Sequence, residues 1–207
     1  MAGLPRLYLI SDRRRAPDGD LLACLDAACA AGVRLIQLRE KDLSARDLLT
    51  LGTQVRDLAA RHGARLLING RIDVALALGA GVHLPSDDPP VAEARRLLGP
   101  DALIGVSTHH LDEALAAARQ GADFVTFGPV YDTPSKRGMG KPVGVAALSR
   151  AASACPVPLL ALGGIDRRRV AAVMARGCHG VAMISEIVAA TDPGGVVRDL
   201  LSALPSG

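Results

Sequence analysis

The chain has 207 residues, a formal net charge of +3, 49% hydrophobic residues and only 2% aromatic ones. That length suits a single α/β barrel domain, with Ala, Leu and Val packing the core. Few aromatic stacking platforms and no dense Lys/Arg stripe argue against nucleic acid as a partner and favour small anions.

The predicted elements alternate from the start. A strand over Leu7–Ile10 precedes a helical period over Gly19–Ala31, and a second strand, Leu35–Leu38, precedes one over Ser44–His62. Strands at Arg65–Ile68 and Val82–Leu84 are followed by helices at Arg71–Leu78 and Val91–Leu98. Leu103–Val106 and Phe124–Phe127 pair with helices at Leu111–Gln120 and Val145–Ala154. The last units are Pro158–Leu162 with Arg167–Arg176, and Val181–Ile184 with Gly194–Leu204. Ser44 and Asp166 are expected helix N-caps. Gly32, Gly63, Gly79, Gly99, Gly121 and Gly177 each follow a helix, where a left-handed cap favours glycine.

The strands are continuous apolar runs, as buried parallel strands are. Eight strand–helix units in one chain predict a single (β/α)8 TIM barrel spanning residues 1–207, with its site at the carboxyl ends of the strands. A doubly wound open sheet is the alternative. Cys24, Cys29, Cys155 and Cys178 have no ligand-like spacing and read as small hydrophobes, so neither a metal cluster nor a disulfide framework is expected. No apolar run is long enough to span a membrane and no signal-type segment precedes Leu7, so a cytoplasmic protein is expected. The sequence leaves open whether the chain forms a homo-oligomer.

Chemistry-bearing residues collect after the strands. Gln37, Arg39 and Lys41 close the second strand, and cations two positions apart point the same way, towards a bound anion. Asn69 follows the third strand, Asp87 and Asp88 the fourth, and Ser107, Thr108 and His109 the fifth. The opposite strand ends carry mostly Gly, Ala and Pro. This asymmetry points to an enzyme.

Gly163-Gly164 before a helix opening at Asp166, with Ser185 after the last strand, has the form of a barrel phosphate site. A tight turn is the plainer alternative, and the position after the seventh strand favours phosphate. The loop Thr133-Pro134-Ser135-Lys136-Arg137-Gly138-Met139-Gly140-Lys141 reads either as a lid over phosphorylated substrate or as a solvated loop. Asp87 and Asp88 fit Mg2+ or a helix cap. His109 and His110 fit a general base or a cap, and Arg13-Arg14-Arg15 a solvated loop or an anion screen.

Taken together, Gln37-Leu38-Arg39-Glu40-Lys41, Leu67-Ile68-Asn69, Gly81-Val82-His83-Leu84, Gly105-Val106-Ser107-Thr108-His109, Phe127-Gly128-Pro129-Val130, Thr133-Pro134-Ser135-Lys136, Gly163-Gly164-Ile165 and Ile184-Ser185 resemble thiamine-phosphate synthases, in order and from Tyr8 to Ile187. The resemblance implies a transferase that joins 4-amino-2-methyl-5-(diphosphooxymethyl)pyrimidine to hydroxyethylthiazole phosphate, releasing pyrophosphate by a dissociative route. It implies that Gln37, Arg39, Lys41, Asn69, Ser107 and Lys136 hold the pyrimidine diphosphate, with Arg39, Lys41 and Lys136 the catalytic cations. It implies that Thr133, Pro134, Ser135, Gly164, Ile184 and Ser185 hold the thiazole phosphate, and that Asp88 binds Mg2+.

Two departures stand out. The family usually follows Asn69 with a metal-binding aspartate, and here the residue is Gly70. The segment after Leu84 is Pro85-Ser86-Asp87-Asp88 where the family usually has Gly-Gln-x-Asp. These departures raise the related TenI-like proteins as the alternative, either thiazole tautomerases or non-catalytic binding or regulatory proteins. The tautomerases typically carry histidine where this chain has Pro129.

Overall fold

A computed structural model describes residues 3–86, 89–133 and 141–205. Eight parallel strands close into a barrel in sequence order: β1 Leu7–Ile10, β2 Leu35–Leu38, β3 Arg65–Asn69, β4 Gly81–Leu84, β5 Ile104–Thr108, β6 Phe124–Phe127, β7 Leu159–Leu162 and β8 Gly180–Met183. The helices are α1 Leu21–Ala30, α2 Ala45–Arg61, α3 Ile72–Leu78, α4 Val91–Leu98, α5 Leu111–Arg119, α6 Gly144–Ala154, α7 Val170–Met174, α8 Ser185–Val188 and α9 Pro193–Ala203.

Strand alternation divides the core in two. Tyr8, Ile10, Leu35, Leu67, Phe124, Leu160 and Ala182 fill the barrel interior. Their strand neighbours, among them Leu9, Ile36, Ile68, Val82 and Val125, face outward and pack with the helices. Both faces of each strand are therefore buried, which is why the strands show no polar alternation. The expected caps recur: Asp47 donates its backbone N–H to Ser44 Oγ at 3.2 Å. Gly32, Gly63, Gly79, Gly99, Gly121 and Gly177 all take positive φ. Asp20 and Asp192 also cap α1 and α9.

Two expectations need correction, and one element was not anticipated. The helix after β7 begins at Val170, not Asp166, because Asp166 instead caps a turn by accepting the Arg169 N–H at 3.0 Å. Strand β5 runs on to Thr108, so Ser107 and Thr108 are strand residues whose backbones pair with Thr126 and Phe127. The short helix α8 begins immediately at Ser185, where the sequence offers no separate cap or period.

Candidate active site

A cavity of about 750 Å³ opens at the carboxyl ends of the strands. Its walls include Gln37, Arg39, Lys41, Asn69, Ser107, Thr133, Gly164, Ile184 and Ser185, contributed by β2, β3, β5, the start of α8 and the segments beyond β2, β6, β7 and β8. Every expected site residue that is described lines this one space. Pro134, Ser135, Lys136, Asp87 and Asp88 lie outside the described residues.

The cavity floor is polar and buried. His83, 1% exposed on β4, places Nδ1 3.2 Å from the Tyr8 hydroxyl and Nε2 3.0 Å from Ser107 Oγ. Thr126 Oγ1 is also 3.4 Å from Nε2. Burial first, and then the positive charge of Arg39, push the His83 pKa down to about 3, so the ring is neutral at ordinary pH. Burial likewise drives the Tyr8 phenol up, offset in part by the neighbouring Gln37 amide. Gln37 is itself buried, yet its Nε2 has no partner in hydrogen-bonding geometry. Gly105 makes room for this floor, because a Cβ there would stand 2.6 Å from His83 Nδ1.

Arg39 is half-buried and Lys41 exposed at the rim, and neither has a carboxylate partner among the described residues. The arginines of the β1 loop differ. They form a 3-10 turn in which Arg13 pairs with Glu40 and Asp42, Arg14 with Asp42, and Arg15 with Asp12. The solvated-loop reading of this run therefore gives way to an ion-paired turn, with Arg15 also on the cavity wall. The contrast leaves Arg39 and Lys41 as the cavity-wall cations without an ion pair among the described residues.

At the β7 end, Gly163 and Gly164 adopt φ of 100° and 64°. A Cβ on Gly164 would meet Tyr131 Cβ at 2.7 Å and the Asp132 carbonyl at 2.9 Å, so glycine is required by close approach. Tyr131 N–H donates to Gly163 O at 3.0 Å, and the Arg169 guanidinium donates to Gly164 O while lying 4.5 Å over the Tyr131 ring. These contacts pin the glycine turn beside Ile184 and Ser185, which open α8.

His109 and His110 separate in role. The N–H groups of His109 and His110 donate to Glu113 Oε2 at 2.6 and 3.4 Å, an ordinary helix-start arrangement for α5. The His109 ring donates from Nδ1 to Gly128 O at 2.6 Å and lies on the cavity wall. Gly70 is left-handed, φ 68°, with its N–H given to His83 O at 2.9 Å. Asp73 is taken by Arg71, at 2.8 Å from Nε, and that pairing holds its carboxyl below the usual range. No cluster of three His, Cys, Asp or Glu side chains suited to a metal occurs among the described residues. The cysteines are free thiols, and burial raises Cys29 and Cys178 to about 11.

Sequence reasoning missed Tyr8, His83 and Thr126 as one polar cluster, and Ser11 and Glu40 behind the cations. A buried-strand pattern interrupted by Tyr, His and Thr was the available signal.

The family model for thiamine monophosphate synthase matches residues 7–187. The chain is 54% identical over 200 residues to a Geobacter sulfurreducens protein, covering 96% of this chain and 94% of that one. It is 41% identical over 200 residues to the thiamine-phosphate synthase of Shouchella clausii, covering 96% of each. The solved structure of thiamine phosphate pyrophosphorylase from Pyrococcus furiosus superposes with a TM-score of 0.87 at 31% identity, covering 96% of this chain and 94% of that one. The same residues that line the mouth of the barrel fall within the matched span, and the chain belongs to the thiamine monophosphate synthase family.

Proposed function

We propose that this protein is a thiamine-phosphate synthase, joining the pyrimidine diphosphate to hydroxyethylthiazole phosphate with release of pyrophosphate. The observation that carries the reading is the pair of uncompensated cations, Arg39 and Lys41, on the same cavity as the glycine turn at Gly164 and the helix start at Ser185. One rim thus offers two stations for phosphorylated groups.

Arg39 and Lys41, joined by Lys136 from the loop outside the described residues, hold the diphosphate and stabilise the charge that grows on it as it leaves. Gln37, Asn69 and Ser107 orient the pyrimidine above the neutral His83 floor. The electron-rich aminopyrimidine supports a methylene cation, so departure of pyrophosphate precedes capture by the thiazole nitrogen. Thr133 with Pro134, Ser135, Gly164, Ile184 and Ser185 hold the thiazole phosphate in line for that capture. The apolar wall of Ile10, Leu162 and Ile184 helps exclude water, which would otherwise intercept the cation. No side-chain nucleophile is required.

Mg2+ would be held at this mouth largely by diphosphate oxygens and water. Gly70 supplies no carboxylate and Asp73 is paired with Arg71; Asp88, which the family resemblance implies as a ligand and which lies outside the described residues, would hold the ion from the protein side. Its chemistry would be to neutralise charge on the leaving pyrophosphate. A cytoplasmic setting agrees with four free cysteines, and no helix among the described residues is long and apolar enough to cross a membrane.

The test is a two-substrate assay: purified protein with both phosphorylated heterocycles and Mg2+ releases pyrophosphate and forms thiamine phosphate. Absence of product at high enzyme and Mg2+, with turnover of the thiazole tautomer alone, would move the protein to the TenI-like tautomerases. Pro129 counts against that outcome, since the position offers no imidazole.

A further inference from the structure

The β1 loop and the end of β2 are tied together by one buried carboxylate. Glu40 stands between Arg39 and Lys41 just beyond the end of β2; both cations line the large cavity, whereas Glu40 is absent from its wall and shares with them only a smaller recess beside the β1 loop. Its Oε1 accepts the Ser11 hydroxyl at 2.6 Å and the Arg13 backbone N–H at 3.1 Å. Its Oε2 accepts from the Arg13 guanidinium, also at 3.1 Å. Ser11 is fully buried, and its Oγ accepts the backbone N–H of Arg39 at 2.8 Å. The Arg39 peptide is thus held from behind, through Ser11, by a side chain only 2% exposed.

A carboxylate beside two anion-binding cations would ordinarily weaken them by competing for their charge. Here Arg13 absorbs the Glu40 charge, and Asp42 occupies the rest of the Arg13 guanidinium at 2.7 Å. Hydrogen bonds to charged, buried groups are the strong ones, so the tie is stiff. We propose that Glu40 is a positioning residue: through Ser11 and Arg13 it fixes the Arg39 peptide and aims Arg39 and Lys41 at the diphosphate. This inference rests on the reading of the mouth as a diphosphate site.

Isothermal titration with inorganic pyrophosphate and Mg2+ separates the two. The wild-type protein binds pyrophosphate, and Glu40→Gln, which keeps size and shape, binds it about tenfold more weakly. Simple electrostatics predicts the opposite sign, because removing a negative charge beside the site strengthens anion binding. In steady-state assays KM for the pyrimidine diphosphate rises while KM for the thiazole phosphate stays unchanged, a split that general loosening of the barrel would not produce. Equal or tighter pyrophosphate binding by a folded Glu40→Gln protein overturns the positioning role. Failure of the wild type to bind pyrophosphate overturns the diphosphate reading itself and the inference with it. Should Glu40→Gln not fold, Ser11→Ala decides: weaker pyrophosphate binding supports the tie, and unchanged binding overturns it.

Discussion

Nε2 of His83 lies 3.0 Å from Oγ of Ser107, so a ring buried in β4 meets a hydroxyl that lines the cavity from β5. Next to Nδ1 of the same ring is the Tyr8 hydroxyl, at 3.2 Å. The interior of the barrel is therefore joined to the site floor through polar groups that burial keeps uncharged.

That burial sets a pH dependence of stability. With its folded pKa near 3 and an unfolded value near 6.5, His83 takes up a proton more readily in the unfolded chain. Stability carries no penalty from His83 above about pH 6.5, and falls progressively as pH drops towards 3. The loss between pH 6.5 and 5 is about 2 kcal/mol. Urea unfolding at the two pH values should show a shallower loss for His83→Gln than for wild type. Identical slopes would refute a buried neutral ring.

Arg39 carries function without carrying the fold. Because it makes no ion pair among the described residues, Arg39→Ala should leave the unfolding free energy within about 0.5 kcal/mol of wild type. Loss of its charge on the leaving group should lower kcat/KM by about 10²-fold or more. Lys136→Ala should behave in the same way. Wild-type turnover in either variant, measured by pyrophosphate release, would remove that cation from the mechanism.

Gly164 tolerates no side chain at its close approach to Tyr131 and Asp132. Gly164→Ala should raise KM for the thiazole phosphate at least tenfold, as displacement of the turn moves its backbone N–H from the phosphate, and should cost about 1–2 kcal/mol in stability. The diphosphate KM should change little. Equal rises in both constants would place Gly164 outside the thiazole phosphate station.

Gly70 occupies a left-handed conformation that aspartate can adopt at a cost of about 1 kcal/mol. If the missing carboxylate weakens metal binding, Gly70→Asp should lower the Mg2+ concentration for half-maximal activity several-fold. A titration with an unchanged midpoint would show that the diphosphate and Asp88 already meet the metal's needs.

Much of the architecture was readable from residue order. The spans of β1, β2 and β6 match expectation residue for residue, since a strand buried on both faces is mostly apolar. The post-helical glycines were equally plain, because a left-handed cap selects glycine locally. Harder to see was the end of β5, where Ser107 and Thr108 look like loop residues but pair with β6. The start of the helix after Asp166 was misplaced by three residues because a turn cap and a helix cap use the same side chain.

Local sequence determined the alternation of strands and helices, and it determined that polar groups gather at one end of the strands, because both are written in short-range patterns of hydrophobicity and chain-reversing residues. Only the tertiary structure decided how charges are shared among them. Glu40 claims Arg13 from 27 positions away in the chain, and Asp42 claims Arg13 and Arg14 from 29 and 28, leaving Arg39 and Lys41 without an ion pair among the described residues at the mouth. Barrel closure likewise put Tyr8, His83 and Ser107 within reach of one another. Coulomb and hydrogen-bond energies depend on distance in space, and no local pattern records which distant side chain will arrive first.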